Sequence, residues 1–218
     1  MFTGIITDIG TVKTVTRGQE ASLAQRAGNA KVPDAMFEIA CAYDPDTIDI
    51  GASIALSGAC MTVTRKAKTD TGCTFTVDVS DESLSKTTLG SWSAGTPINL
   101  ERAMKVGDEY GGHMVSGHVD SRAVLTGLEP LAGSLIMTFT APKDLLFGIA
   151  PKGSVTIDGV SLTVNTVSGQ EFTVNIIAHT AAVTTLGKIA LNDEINLEID
   201  TIARYVARYM DHMKAIGA

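Results

Sequence analysis

The chain has 218 residues, 44% of them apolar and 19% charged, enough to bury one large core or two small ones and far from the composition of a disordered segment. Seventeen Lys and Arg against 24 Asp and Glu leave a net charge of −7, the wrong sign for a surface that neutralises phosphates, so nucleic acid is not expected as a partner. No cationic leader precedes the first apolar residues and no run approaches 18 apolar residues, so no membrane is expected either.

In chain order, FTGII (2–6) is followed by RGQEASLAQRAGNAKVPD (17–34), rich in Gly, Ala, Gln and charge without an apolar stripe, which reads as an exposed loop with one short helical turn at most. Then come GASIALSGACMTV (51–63), TFTVDVS (74–80), TTLG (87–90) and INLE (98–101), separated by Gly, Asp and Asn. The period-two alternation in TFTVDVS is that of a half-buried strand. A linker, ERAMKVGDEYGGHMVSGHVD (101–120), holds a Gly-Gly pair and two of the four histidines, His113 and His118.

Beyond the linker the pattern returns. VSGHV (115–119) resembles FTGII at an offset of 113, and KGSVTIDGVSLTV (152–164) matches 51–63 at an offset of 101. TTLG (184–187) and INLE (195–198) recur at an offset of 97, and FTVNII (172–177) alternates as TFTVDVS does. The changing offsets place about 12 extra residues early in the first copy, which is the 17–34 loop, and four in its KAKTDTG hairpin region. Two tandem all-β units follow, and closure into barrels of about six strands removes exposed edges. The expected division is 1–113 for the first barrel and 114–210 for the second. It is overlapped by a helix over 201–216, where Ile202, Val206, Tyr209, Met210, Met213 and Ile216 recur at helical spacing behind a cap at Asp200 or Thr201.

Cys41, Cys60 and Cys73 are scattered, without a C-x-x-C pair, and fit free thiols in a cytoplasmic setting. His113 and His118, five residues apart, match neither helical nor strand ligand spacing and have no third ligand in reach, so no metal is expected. Phosphate-loop, dinucleotide and nucleophile-elbow motifs are absent. Differences between the copies mark specialisation: Cys60 stands where the second copy has Ser161, Ile5 where it has His118, and Asp78–Ser83 where it has Asn175–Thr180. Two similar pockets with different polar groups suit an enzyme acting on two molecules of one ligand.

MFTGI, GASIALSGACMTVT, TTLG, INLERA, GGHMVSGHVD, IDGVSLTVN and INLEID together resemble the riboflavin synthase family, over the chain from Met1 to the C-terminal helix. The resemblance implies two six-stranded, Greek-key-like lumazine-binding barrels and a homotrimer held by the C-terminal helix. It implies a site between the first barrel of one subunit and the second of its neighbour. The implied reaction is a cofactor-free, metal-free dismutation of two 6,7-dimethyl-8-ribityllumazine molecules into riboflavin and 5-amino-6-(D-ribitylamino)uracil, a four-carbon transfer. Association with lumazine synthase is left open. By the resemblance, substrate-binding segments fall on Gly4, Ile5 and Ile6, on Cys60, Met61 and Thr62, and on Asp78, Val79, Ser80, Asp81, Glu82 and Ser83. In the second copy they fall on Gly117, His118 and Val119, on Lys152, on Ser161, Leu162 and Thr163, and on Asn175, Ile176, Ile177, Ala178, His179 and Thr180. His118 is the expected proton acceptor or relay, Ser161 and Thr163 orient one lumazine, and Cys60 stands near the other. Ser53 and Asp200 are further catalytic candidates, and His113 is open between a structural and a supporting role. The chain departs from the family at Ser57, where Asn is common, and at Ala178-His179-Thr180-Ala181, where Pro-Glu-Thr-Leu is common. The competing reading is a non-catalytic lumazine- or flavin-binding chromophore protein, expected as a monomer.

Overall fold

The alternating runs are strands, and each copy supplies six. A computed structural model describes residues 1–18 and 34–217. The first copy contains β1 (Asp8–Arg17), β2 (Ala35–Cys41), β3 (Ser53–Leu56), β4 (Ala59–Thr69), β5 (Gly72–Val79) and β6 (Pro97–Arg102). The second contains β7 (Ser121–Leu131), β8 (Ser134–Thr140), β9 (Ser154–Ile157), β10 (Val160–Ser168), β11 (Glu171–Ile177) and β12 (Glu194–Ile199). All pairings are antiparallel, and the strands close in the order β1-β2-β5-β4-β3-β6 and, equivalently, β7-β8-β11-β10-β9-β12. Most of the 17–34 insertion, residues 19–33, lies outside the described residues. Its ends leave the β1–β2 hairpin, where the Gly18 N–H donates to the Asp34 carbonyl at 2.7 Å.

Inward positions build one core per barrel. Phe37, Ile54, Phe75 and Leu100 are among the fully buried residues of the first, and Phe139, Ile157, Phe172 and Leu197 of the second. Each such side chain contributes about 1.5–3 kcal/mol through removal from water. Bulges recur at equivalent places, Val12/Thr14 and Leu125/Gly127, Val63/Arg65 and Val164/Thr166, bending the strands enough for six to close.

After β5 and β11 come six-residue helices, α1 (Asp81–Lys86) and α2 (Ala178–Val183), each leading into a 3-10 turn at TTLG. Thr87 and Thr184 cap those turns by accepting from the Leu89 and Leu186 N–H groups. That accounts for the repeated tetrapeptide. The last element, α3 (Thr201–Ala215), is capped by the Asp200 carboxylate, which accepts from the Ile202 N–H at 2.8 Å, and is tied to the second barrel by Arg204 to Asp120 at 3.0 Å. Ile202, Val206, Tyr209, Met210 and Ile216 are exposed on it, and Met213 is half-buried. Among the described residues no helix is long and apolar enough to cross a membrane.

The barrels meet around an approximate two-fold axis. The β3–β4 and β9–β10 turns, Ser57-Gly58 and Asp158-Gly159, have left-handed φ at both positions (42° and 85°, 44° and 83°), as two-residue hairpin loops require. The glycines stand back to back, and a Cβ on either would lie within 3 Å of the other's backbone nitrogen. The repeated INLE supplies the clasp. The Asn99 side chain donates to the Asp158 carbonyl and accepts from the Thr185 N–H, while Asn196 donates to the Ser57 carbonyl and accepts from the Thr88 N–H, all at 2.7–2.8 Å.

Candidate functional site

The segment preceding each barrel does not cover its own barrel. Phe2 and Val115 pair with each other across the axis, exchanging N–H···O bonds of 2.8 and 3.1 Å, and the two lead-in segments then diverge to opposite barrels. The Gly4 carbonyl accepts from Ser161 N–H on β10 at 2.9 Å, and the Gly117 carbonyl accepts from Cys60 N–H on β4 at 2.8 Å. Ile6 packs on the core of the second barrel and Val119 on that of the first. Gly4 and Gly117 have φ near +80°, and a Cβ on either would sit 2.5–2.6 Å from the Cβ of Ser161 or Cys60, so no other residue permits this approach.

The sequence grouping of Gly4–Ile6 with Cys60, and of Gly117–Val119 with Ser161, is therefore crossed in space. A pocket of about 250 Å3 is lined by Ala59, Cys60, Met61, Glu82, Ser83, Lys86 and Thr87 of the first barrel and by Gly117, His118 and Val119. His118 is exposed at this pocket. Of the 78–83 segment only Glu82 and Ser83 reach it. Val79 is buried with the core, Ser80 caps α1 by accepting from the Ser83 N–H, Asp81 N–H donates to Asp34, and Asp78 is exposed on β5. Ile5 is exposed beside a separate groove of about 420 Å3 that Glu101 and Met104 also line.

In the second barrel, Ser161 and Thr156 are register partners across β10 and β9, and His113 bridges them. Its Nδ1 lies 2.7 Å from Ser161 Oγ and its Nε2 3.2 Å from Thr156 Oγ1. Burial lowers the His113 pKa below the ordinary imidazole value, and the Asp200 charge opposes this. The neutral ring therefore faces the Ser161 hydroxyl. The corresponding pair in the first barrel, Ala55 and Cys60, is instead covered by Phe2 and Val115. One barrel thus presents a thiol under an apolar lid, the other a serine under an imidazole.

Thr62 and Thr163 are exposed and lie opposite Ser53 and Ser154 in the ladders. Ser154 and Asp200 line a groove of about 870 Å3 beneath α3, with Phe147, Val206 and Met210. Lys152 is exposed in the turn before β9 with φ of 67°, its N–H donating to Val164. Leu162 and Ile176 belong to the second core, whereas Asn175, Ile177, Ala178 and His179 are exposed and Thr180 is half-buried along β11 and α2. Sequence reasoning missed Thr156 and the buried glutamates Glu101 and Glu198, which accept from the Thr3 and Gly4 N–H groups and from the Ser116 and Gly117 N–H groups. The repeated INLE was the available signal for these glutamates.

Paired closed barrels with equivalent positions differently furnished, Cys60 in one and Ser161 in the other, define a double-barrel binder of small ligands. The chain belongs to the lumazine binding domain family, which matches it twice, over residues 3–103 and 116–200. It is 45% identical over 215 residues to the riboflavin synthase of Brucella abortus (strain 2308), spanning 98% of this chain and all of that one. It is 34% identical over 210 residues to the riboflavin synthase of Bacillus subtilis (strain 168), spanning 96% of this chain and 90% of that one. In fold it resembles LumP complexed with riboflavin, with a TM-score of 0.74 at 20% identity over 91% of this chain and 99% of that one.

Proposed function

We propose that this chain acts as a riboflavin synthase, a transferase that moves a four-carbon unit between two 6,7-dimethyl-8-ribityllumazine molecules to give riboflavin and 5-amino-6-(D-ribitylamino)uracil. The observation that carries this reading is the asymmetry of two equivalent positions: Cys60 with His118 in one barrel, Ser161 with His113 in the other. A carrier of one chromophore needs one furnished pocket. A dismutation needs a donor and an acceptor held differently.

The chemistry asks for a base near the acidic methyl protons of an electron-poor ring and for two rings held face to face, orientation alone supplying up to about 7–11 kcal/mol in the best intramolecular cases. Neutral His113 accepts the Ser161 proton while its other nitrogen donates to Thr156, and Asp200 stabilises the imidazolium that forms. His118, exposed at the Cys60 pocket, serves as proton carrier there. The exposed apolar residues of α3 support assembly through that helix into a homotrimer, with the two kinds of pocket meeting across subunits. The same reading puts the protein in the cytoplasm.

Purified protein mixed with the lumazine alone is expected to form one riboflavin per two lumazines consumed. Tight binding without turnover would support the chromophore reading. His118→Ala is expected to lower turnover at least tenfold with lumazine still bound, and full activity in that variant would remove His118 from the mechanism.

A further inference from the structure

The INLE motif occurs twice, and its asparagines join the barrels. Its glutamates face the lead-in segments. Glu198 is only 2% exposed, and three donors of the 115–119 segment converge on it: Ser116 N–H at 2.7 Å and Ser116 Oγ at 2.6 Å on Oε1, and Gly117 N–H at 3.0 Å on Oε2. Glu101, 5% exposed, repeats the arrangement with Thr3 N–H at 2.7 Å and Thr3 Oγ1 at 3.0 Å on Oε1, and Gly4 N–H at 3.0 Å on Oε2. Each carboxylate sits on its own barrel, yet the segment it grips continues onto the other, Gly117 over Cys60 and Gly4 over Ser161.

We propose that Glu198 is the positioning residue of the first-barrel pocket, fixing from the second barrel the wall that carries His118, and that Glu101 in the same way holds the Gly4 segment over Ser161 from the first barrel. This role rests on the proposed function, since one held segment carries His118 into the Cys60 pocket and the other carries Ile6 onto the second core. A carboxylate offers acceptors on both oxygens, which matches the three converging donors at each glutamate. Glutamine replaces one oxygen with an NH2 that turns a donor toward a donor, so Glu→Gln releases the segment while keeping the volume.

Cys60 reports on this locally. It is half-buried beneath Gly117, whereas Cys73 is fully buried and burial pushes the Cys41 thiol up to about 12, so iodoacetamide at neutral pH reads Cys60. In the full-length protein without ligand, Glu198→Gln is expected to raise the Cys60 alkylation rate at least tenfold. Glu101→Gln, although Glu101 lies two strands from Cys60 in the same barrel, is expected to change it less than twofold. A merely structural role, in which each glutamate steadies its own barrel, gives the reverse order. Equal or reversed effects overturn the proposal. If the glutamine variants do not fold, Ser116→Ala and Thr3→Ala each remove one side-chain bond, and the first alone is expected to raise the rate, about threefold. No effect of Ser116→Ala in that case overturns the proposal too. These readings need no lumazine, so they decide the positioning role whether or not the chain turns lumazine over. If it does, kcat is expected to fall at least tenfold in Glu198→Gln with the melting temperatures of the two glutamine variants alike.

Discussion

At the scale of single residues, the proposed chemistry calls for one imidazole kept uncharged. Burial holds the His113 pKa below the ordinary value of about 6.5, so as pH falls through that range the unfolded chain takes up a proton before the native one does. His113 therefore contributes stability above that range that is lost on acidification, and the acid limb of kcat/KM is expected below about pH 6.5. Asp200 is the group that raises this pKa, and asparagine caps a helix as well as aspartate does. Asp200→Asn should therefore move the acid limb to lower pH while α3 stays folded, and a limb that stays put or moves up would show that Asp200 does not act on His113. Cys60, Ser161 and His118 were legible as candidates because two copies can be compared position by position. The pairing of His113 with Ser161 was not, since a repeat reveals which residues are equivalent and says nothing of which segment lies over which strand.

Among the elements, the two inter-barrel turns are alike in geometry and unlike in charge. Asp158 occupies the position of Ser57, and burial raises its carboxyl to about 7 although its Oδ1 accepts from the Asn196 N–H. A folded pKa above the unfolded one means that its stabilising contribution is fully present below about pH 4 and is lost as pH rises through 7. Asn tolerates the left-handed φ of 44° and keeps the acceptor. Thermal melts should therefore show Asp158→Asn about 2–4 °C more stable than the parent at pH 8, the gap closing by pH 5; a pH-independent gap would mean that Asp158 stays ionised throughout. The strands were readable from alternation, and the terminal helix from its stripe. The six-residue helices α1 and α2 were not, because so short a run cannot display a 3.6-residue period.

For the whole molecule, α3 is, among the described residues, the one element without a counterpart in the first half, and its apolar residues are left in solvent by the single chain. Ending the chain after Asp200 is expected to leave both barrels folded but monomeric, with turnover reduced at least tenfold, as sedimentation and the riboflavin assay would show; a fully active monomer would confine the site to one subunit. The double-barrel plan was visible in the offsets of 113, 101 and 97, yet the crossing of the lead-in segments was invisible there, since crossed and uncrossed arrangements have the same internal repeat. That crossing bears on ancestry. A one-barrel forebear that dimerised by trading its N-terminal arms would, after duplication and end-to-end fusion of its gene, retain the traded arms as internal contacts and free the halves to diverge. Heritable constraint then runs across the fusion seam, binding the arm of each half to the barrel of the other.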